Sequence, residues 1–241
     1  MIKRLSATQI KMWKEQCQML WFLSYIMKKK PPQASFQNLG EQIHKSLEDY
    51  INDGTYPDLS DKAGMLASKA LHLVPMERAV QSEVRFEDLP VQPDSPIPMA
   101  GIMDVLCLDG SVPLVLDFKT SKSKRWFKRK SELTSDIQLM VYAKFALASA
   151  PDAEFIDIGL IYISSLPETP FSQLVQTRTS RKAVDAFWEK EIETAMDEIS
   201  FASVSLSSEM IRNYDFCGAY GGCRLIDICE SQGTPSNGPY S

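Results

Sequence analysis

The sequence predicts an α/β fold: one central mixed β-sheet flanked by helices. Three observations carry this. Apolar residues recur at helical spacing within residues 6–27 and 36–51. Between 79 and 120 the pattern changes to β-branched runs separated by turn residues. Beyond that, helix-like and strand-like segments alternate, an order that covers a sheet with helices.

The elements follow in order. Ser6 with Gln9 reads as a capping box, each side chain satisfying a backbone donor at a helix start. Ile10, Trp13, Cys17, Leu20 and Ser24 then share one face of a helix running to about Met27. The run KKKPP at 28–32 stops it, because proline offers no N–H and pushes its predecessor to extended geometry. Further helices are expected over 36–51, leaving through Asn52-Asp53-Gly54, and over 60–73. Segments 79–89, 97–110 and 111–120 read as a three-stranded meander. Asp109-Gly110 is a hairpin signal between the last two, and Pro113 disturbs the pairing just after it. A helix over 132–148 ends before Pro151, strands follow over 154–165 and 171–179, and a long amphipathic helix covers 180–199. The tail, 231–241, is polar and rich in Gly and Pro, as disordered segments are. With no internal repeat and no linker in view, residues 1–230 read as one domain.

Of 241 residues, 26 are Lys or Arg and 31 are Asp or Glu, a net charge of −5 that does not announce a nucleic-acid partner. Any such reading must rest on local clustering. The opening MIKRLSATQIKMWKEQ lacks the apolar core of a secretion signal. The longest apolar run, MLWFLSYIM at 19–27, falls far short of the ~20 residues that cross a bilayer. A cytoplasmic protein with no membrane partner is expected, and in that reducing compartment the five cysteines point to metal before disulfides.

One stretch carries chemistry: LVLDFKTSKSKRWFKRK, residues 114–130. On a strand Asp117 and Lys119 point to one face and Phe118 to the other. Asp104 lies thirteen residues before Asp117, and a hairpin would bring the two carboxylates together. A divalent cation removes their repulsion, and Mg²⁺ suits carboxylates plus substrate phosphate. A nearby lysine can then orient or deprotonate the attacking water. The same tripeptide is equally satisfied by an ion pair capping a sheet edge.

The ordered set Gly101-x-x-Asp104, Asp117-x-Lys119 and Gln138-x-x-x-Tyr142, preceded by Gly40 and His44 in GEQIH, resembles the PD-(D/E)XK nuclease superfamily, specifically its RecB-like branch. The resemblance runs from about Leu5 to Cys229. It implies a restriction-endonuclease-like core with Mg²⁺ or Mn²⁺ on His44, Asp104, Asp117 and the backbone carbonyl of Phe118. It also implies Lys119 assisting the water, and Gln138 and Tyr142 lining the DNA path. Glu83 is a further candidate acid, with Glu87 competing for that place. The cations from Lys119 to Lys130 come with no acid among them and are interleaved with Trp126 and Phe127. Lys122, Lys124, Arg125 and Trp126 are therefore candidate DNA contacts, through phosphates and base stacking.

Cys217, Cys223 and Cys229 have five residues between neighbours, and Cys17 lies near the other end. Four thiolates can hold a 4Fe–4S cluster or a zinc ion, and structural zinc usually takes closer-spaced pairs. The glycine pair Gly221-Gly222 would let the backbone fold tightly against a bulky centre. The distribution resembles an iron–sulphur subclass of RecB-like nucleases, including the AddB nuclease domain, CRISPR-associated adaptation nucleases and phage exonucleases. That resemblance implies a structural cluster clasping the two chain ends. Cys107 reads as core. The function expected is a metal-dependent DNA exonuclease of recombination, repair or phage DNA processing, with a cluster that is structural rather than redox-active. Two rivals are a DNA-binding module acting through a recombination, single-strand-annealing or CRISPR-adaptation partner, and a zinc-stabilised protein without nucleic acid.

Overall fold

The structure is a computed structural model describing residues 2–29, 35–87, 97–168, 170–218 and 222–231. Its sheet has five strands in the order β1 (Val80–Glu87), β2 (Ala100–Cys107), β3 (Leu114–Ser121), β4 (Phe155–Ser164) and β5 (Ser172–Ser180). β2–β3 and β4–β5 are antiparallel and β3–β4 is parallel, so the sheet is mixed, as expected. The helices in chain order are α1 (Ala7–Lys11), α2 (Gln18–Trp21), α3 (Ser35–Asp53), α4 (Lys62–Ser68) and α5 (Lys130–Leu133). They continue with α6 (Ile137–Ala148), α7 (Arg181–Phe187), α8 (Thr194–Ala202), α9 (Tyr214–Cys217) and α10 (Ile226–Ser231). The parallel step needs a crossover longer than a hairpin, and the segment carrying α5 and α6 supplies it.

The chain divides into two compact units. One, Gln33–Phe86 and Gly101–Trp188, holds nearly all of the sheet and α3 to α7. Alternation along β3 sends Leu114, Leu116 and Phe118 into a core with Val105, Cys107, Ile161 and Ile163. The stripe Ile43, Leu47 and Ile51 of α3 packs there, with Leu66 and Ala67 of α4. Burying each such Leu or Ile contributes ~1.5–3 kcal/mol. Gly40 permits the approach, because a Cβ there would lie 3.3 Å from the Thr120 hydroxyl of β3. α6 covers the face that shows Asp117, and its Phe145 stacks on Phe86 of β1 at 3.9 Å.

The turn between β2 and β3 is longer than a two-residue hairpin, since pairing closes at Cys107–Leu114. Gly110 takes φ +79, and Arg78 ties the loop down through Asp109 and the Val112 carbonyl. The helix expected over 132–148 starts twice. Asp136 is a fresh N-cap, its carboxylate accepting from Leu139 N–H at 3.0 Å. The helix expected over 180–199 is α7, a π segment over Trp188–Glu193, and α8.

The other unit gathers Met1–Pro32, Glu87–Ala100 and Glu189–Ser241. Ser6 caps α1 as expected, but Gln9 sends its amide to the Arg4 carbonyl at 3.2 Å, so the box is half formed. The single helix expected to Met27 is broken. π segments at Met12–Gln16 and Phe22–Ile26 surround an extended Cys17, with φ −156 and ψ 124. Trp13 packs edge-on against Trp21 at 5.1 Å and donates to Glu198 at 2.7 Å. The expected disordered tail, like residues 219–221, lies outside the described residues apart from Ser231, which ends α10.

Candidate active site

β2 and β3 part company at the candidate acids. Their ladder pairs Cys107 with Leu114, Leu106 with Val115 and Val105 with Leu116. One residue further Asp104 and Asp117 would face each other, but the side chain of Asp104 intervenes and accepts the Phe118 N–H at 2.7 Å. In an extended strand a residue's N–H and C=O leave by the same edge, so the Phe118 carbonyl faces the Asp104 side. The Phe118 side chain goes the other way, into the core.

Asp117 is 2% exposed, and two neighbours hold it. Its Oδ1 accepts from Gln138 Nε2 at 2.9 Å, and its Oδ2 lies 2.6 Å from Lys119 Nζ. That Oδ2 contact is charge proximity, since no hydrogen bond of good geometry reaches the atom. Gln138 uses every polar group it has: Nε2 donates to Asp117 and to the Tyr142 hydroxyl at 2.8 Å, and Oε1 accepts from Lys119 at 2.8 Å. Burial raises the Asp117 carboxyl to about 6, with the Lys119 ammonium opposing and the Asp104 charge adding to the rise. Burial would lower the Lys119 ammonium, yet the charge and contact of Asp117 lift it on balance. Tyr142 is buried, edge-on to Phe86 at 5.9 Å, and burial raises its hydroxyl pKa. Gln138 and Tyr142 thus support the Asp117–Lys119 pair and present little surface of their own. Gly101 belongs to the same packing: a Cβ there would fall 2.4 Å from the Phe86 ring.

His44 reaches the site from α3. Its Nδ1 is 3.6 Å from Asp104 Oδ2 and its ring meets Phe118 edge-on at 5.6 Å. Burial opposes its charged form, but the Asp104 contact and charge, then the Asp117 charge, leave its pKa raised. Glu83 sits in β1 with φ +51, a left-handed conformation rare for a non-glycine residue and costing about 1–3 kcal/mol. Burial raises its carboxyl, and the charges of Asp104 and Glu48 add to this. Glu87 instead pairs with Arg4 at 3.0 Å.

Among the described residues no group of three or more His, Cys, Asp or Glu is arranged to hold a metal ion. Lys119 stands against Asp117, and the Phe118 N–H against Asp104. The donor chemistry nevertheless fits Mg²⁺ or Mn²⁺: imidazole, two carboxylates and a carbonyl, with the buried Asp117 Oδ2 short of a hydrogen-bond donor.

The cation run leaving β3 divides by role. Lys119 serves Asp117, Lys128 pairs with Asp136 at 2.6 Å and Arg129 with Glu132 at 3.1 Å. Lys122, Lys124, Arg125 and Lys130 are exposed and form no ion pair among the described residues. Phe127 stacks on Tyr162 at 3.9 Å, whereas Trp126 is exposed with the Arg125 guanidinium 4.5 Å from its ring. Sequence reasoning missed Tyr162 and Asp136. Asp136 had a readable signal, an Asp three residues before Leu139 at a helix start; Tyr162, inside an apolar strand, had none.

In the unit that joins both ends of the chain, Cys17, Cys217, Cys223 and Cys229 line one pocket with Leu20, Leu23, Arg212, Tyr214 and Ile226. All four thiols are free. Cys17 Sγ accepts from Asn213 N–H at 3.5 Å, and Cys217 Sγ donates to the Asn213 carbonyl at 3.7 Å. Burial, then the charges of Cys223, Cys17 and Cys229, raise the Cys217 thiol. Gly222 adopts φ +98 beside them. Cys107 is fully buried in the sheet core, its thiol pushed up to about 11 by burial.

Comparison with known proteins agrees with this layout. Residues 64–230 match the family profile of the PD-(D/E)XK nuclease superfamily, a stretch that starts after His44. No curated protein matches the sequence. A crystal structure from Eubacterium rectale, described as that of a presumed exonuclease, is similar with TM-score 0.56 at 10% identity, covering 99% of this chain and 91% of the other. The crystal structure of SSO0001 is similar with TM-score 0.50 at 14% identity, covering 97% and 89%. At those identities the likeness is one of fold, and the five-stranded mixed sheet is consistent with a restriction-endonuclease-like core. The chain belongs to the PD-(D/E)XK nuclease superfamily.

Proposed function

We propose that this chain is a divalent-metal-dependent DNA exonuclease of RecB-like type, cytoplasmic and at work in recombination, repair or phage DNA processing. The observation that carries the reading is the closed network of Asp104, Phe118 N–H, Asp117, Lys119 and Gln138 where β2 and β3 separate. His44, Asp104, Asp117 and the Phe118 carbonyl would hold Mg²⁺ or Mn²⁺, which when bound neutralises charge on the phosphate and acidifies water. Lys119, freed in part from Asp117, donates to the attacking water and positions it for in-line displacement. Gln138 and Tyr142 hold Lys119 and Asp117 in register beneath the DNA path. Glu83 adds a carboxylate at the Asp104 side. Lys122, Lys124 and Arg125 attract the phosphate backbone.

The four thiols of the end-joining unit are proposed to hold a structural 4Fe–4S cluster, making residues 1–230 one nuclease domain. The shared pocket supports this, and the five-residue gaps between Cys217, Cys223 and Cys229 favour a larger centre over structural zinc. The test uses anaerobically purified protein with end-labelled linear and closed circular DNA, with Mn²⁺, Mg²⁺ or EDTA, beside iron analysis. Metal-dependent loss of linear DNA alone, abolished in Lys119→Ala, is the expected result. No cleavage by iron-retaining protein would replace the reading with a DNA-binding module acting through a partner protein.

A further inference from the structure

We propose that Trp126 is a stacking platform for an unpaired base, so that this site takes single-stranded DNA or a frayed end rather than an intact duplex. The inference rests on the nuclease reading for the site it serves. Of the four tryptophans, Trp13, Trp21 and Trp188 are 7%, 0% and 3% exposed, whereas Trp126 is 59% exposed. A large aromatic ring left in water forgoes the burial its neighbours enjoy, and here the surroundings explain what it could gain.

The loop is pinned on both sides of the ring. Ser123 Oγ accepts from Arg125 N–H at 3.3 Å, opening the short 3-10 turn Lys124–Trp126. After the ring, Lys128 N–H donates to the Tyr162 hydroxyl at 3.0 Å while Phe127 lies flat on Tyr162, 12° from parallel. Trp126 is thereby presented by a fixed backbone and loses little freedom on binding. Tyr162 is the ladder partner of Lys119, so the anchor of the loop stands beside the catalytic strand at the position of the proposed water-orienting lysine. Trp126 thus lies seven residues beyond that lysine, next to the Phe127 and Lys128 that this anchor holds.

The surrounding charge selects the partner. Lys122, Lys124 and Arg125 are exposed, and the Arg125 guanidinium lies over the Trp126 ring. Cations flanking an exposed aromatic attract a phosphate backbone and offer its bases a π-face without reading sequence. In a duplex the base faces are covered by their neighbours, so only an unpaired or terminal base can use the ring. Phe127, the other aromatic of the run, is spent on Tyr162 and cannot serve.

The three buried tryptophans make the test optical. The full-length protein, in EDTA so that nothing is cut, is titrated with oligothymidine and separately with a blunt hairpin duplex, following tryptophan emission. Quenching of the water-exposed emission by oligothymidine, and much less by the hairpin, is expected. Trp126→Ala should lose that quenching and bind oligothymidine roughly 5- to 150-fold more weakly, the range that loss of one base–aromatic stack covers. Trp126→Phe should restore affinity to within a few-fold, which a merely misfolded variant would not permit. Equal quenching by both DNAs, or undiminished oligothymidine affinity in Trp126→Ala, would overturn the proposal. Stacking without any metal-dependent cleavage would sink the nuclease reading and leave this platform standing. Single-strand cleavage indifferent to Trp126→Ala would do the reverse.

Discussion

Asp117→Asn isolates the electrostatic cost built into the site. Burial holds the Asp117 carboxyl at about 6 although Lys119 pulls it down, against an ordinary value of 3.8. A carboxyl whose folded pKa is raised binds its proton more tightly in the folded chain. Its contribution to stability is therefore full below pH ~4 and is lost as pH rises through about 6. The gap corresponds to about 3 kcal/mol, at 1.36 kcal/mol for each unit of pKa. Asparagine keeps the shape and has nothing to titrate. The stability of the variant relative to wild type should thus rise by about 3 kcal/mol between about pH 4 and pH 8. Its absolute level is set lower by the loss of Lys119's partner. Paired urea unfolding curves in EDTA across that range would measure it. A difference that stays flat with pH, or falls toward neutrality, would refute the reasoning: Lys119 and Gln138 would then outweigh burial.

Four further outcomes are expected. In metal-free protein His44 should titrate above 6.5 by NMR, where only His72 competes for assignment, and Asp104→Asn should lower it; a value below 6.5 would disprove the Asp104 contact. The stability that charged His44 contributes is lost as pH rises through its pKa. Gln138→Leu should cost about 2–3 kcal/mol in denaturant unfolding and roughly 10- to 100-fold in cleavage, because a buried carboxylate and an ammonium each lose a partner; an unchanged rate would remove Gln138 from the site. Gly101→Ala should destabilise by about 1–3 kcal/mol, since its Cβ would overlap the Phe86 ring, and a wild-type melting curve would contradict the close approach. Cys17→Ser should lower bound iron while Cys107→Ser leaves it intact, and iron analysis showing equal loss in both would break the four-thiol assignment.

The sheet was legible because its signals are local. Alternation placed Asp117 and Lys119 together with Phe118 opposite, and the strand segments fell within a few residues of those observed. The site's acids were legible as a spaced set. What the sequence did not disclose was how the pair is held: that Gln138 spends its whole amide on Asp117, Lys119 and Tyr142, or that Asp104 replaces a backbone partner. Such bonds cross between elements, and no periodicity encodes them. The seven cations looked alike on paper, yet Lys128 and Arg129 proved to be local fasteners, because acids that close on them come later in the chain. The helix expected to Met27 was misread as continuous for a related reason, whereas the one expected over 180–199 does run on through its π segment. A π segment adds a residue to a turn without upsetting the apolar spacing enough to be noticed.

That extra residue near Cys17 has a consequence for inheritance. Each residue of an α-helix turns the chain by about 100°, so deleting one residue from Met12–Gln16 would let an ordinary helix close. It would also swing whatever precedes the break by that angle relative to the thiol. Substitutions at its exposed positions can drift while its length cannot. Descendants of this chain should vary at the exposed positions of residues 12–26 and keep Cys17 and the buried Trp13 and Trp21. They should also hold the number of residues fixed, since counting sets where the thiol falls.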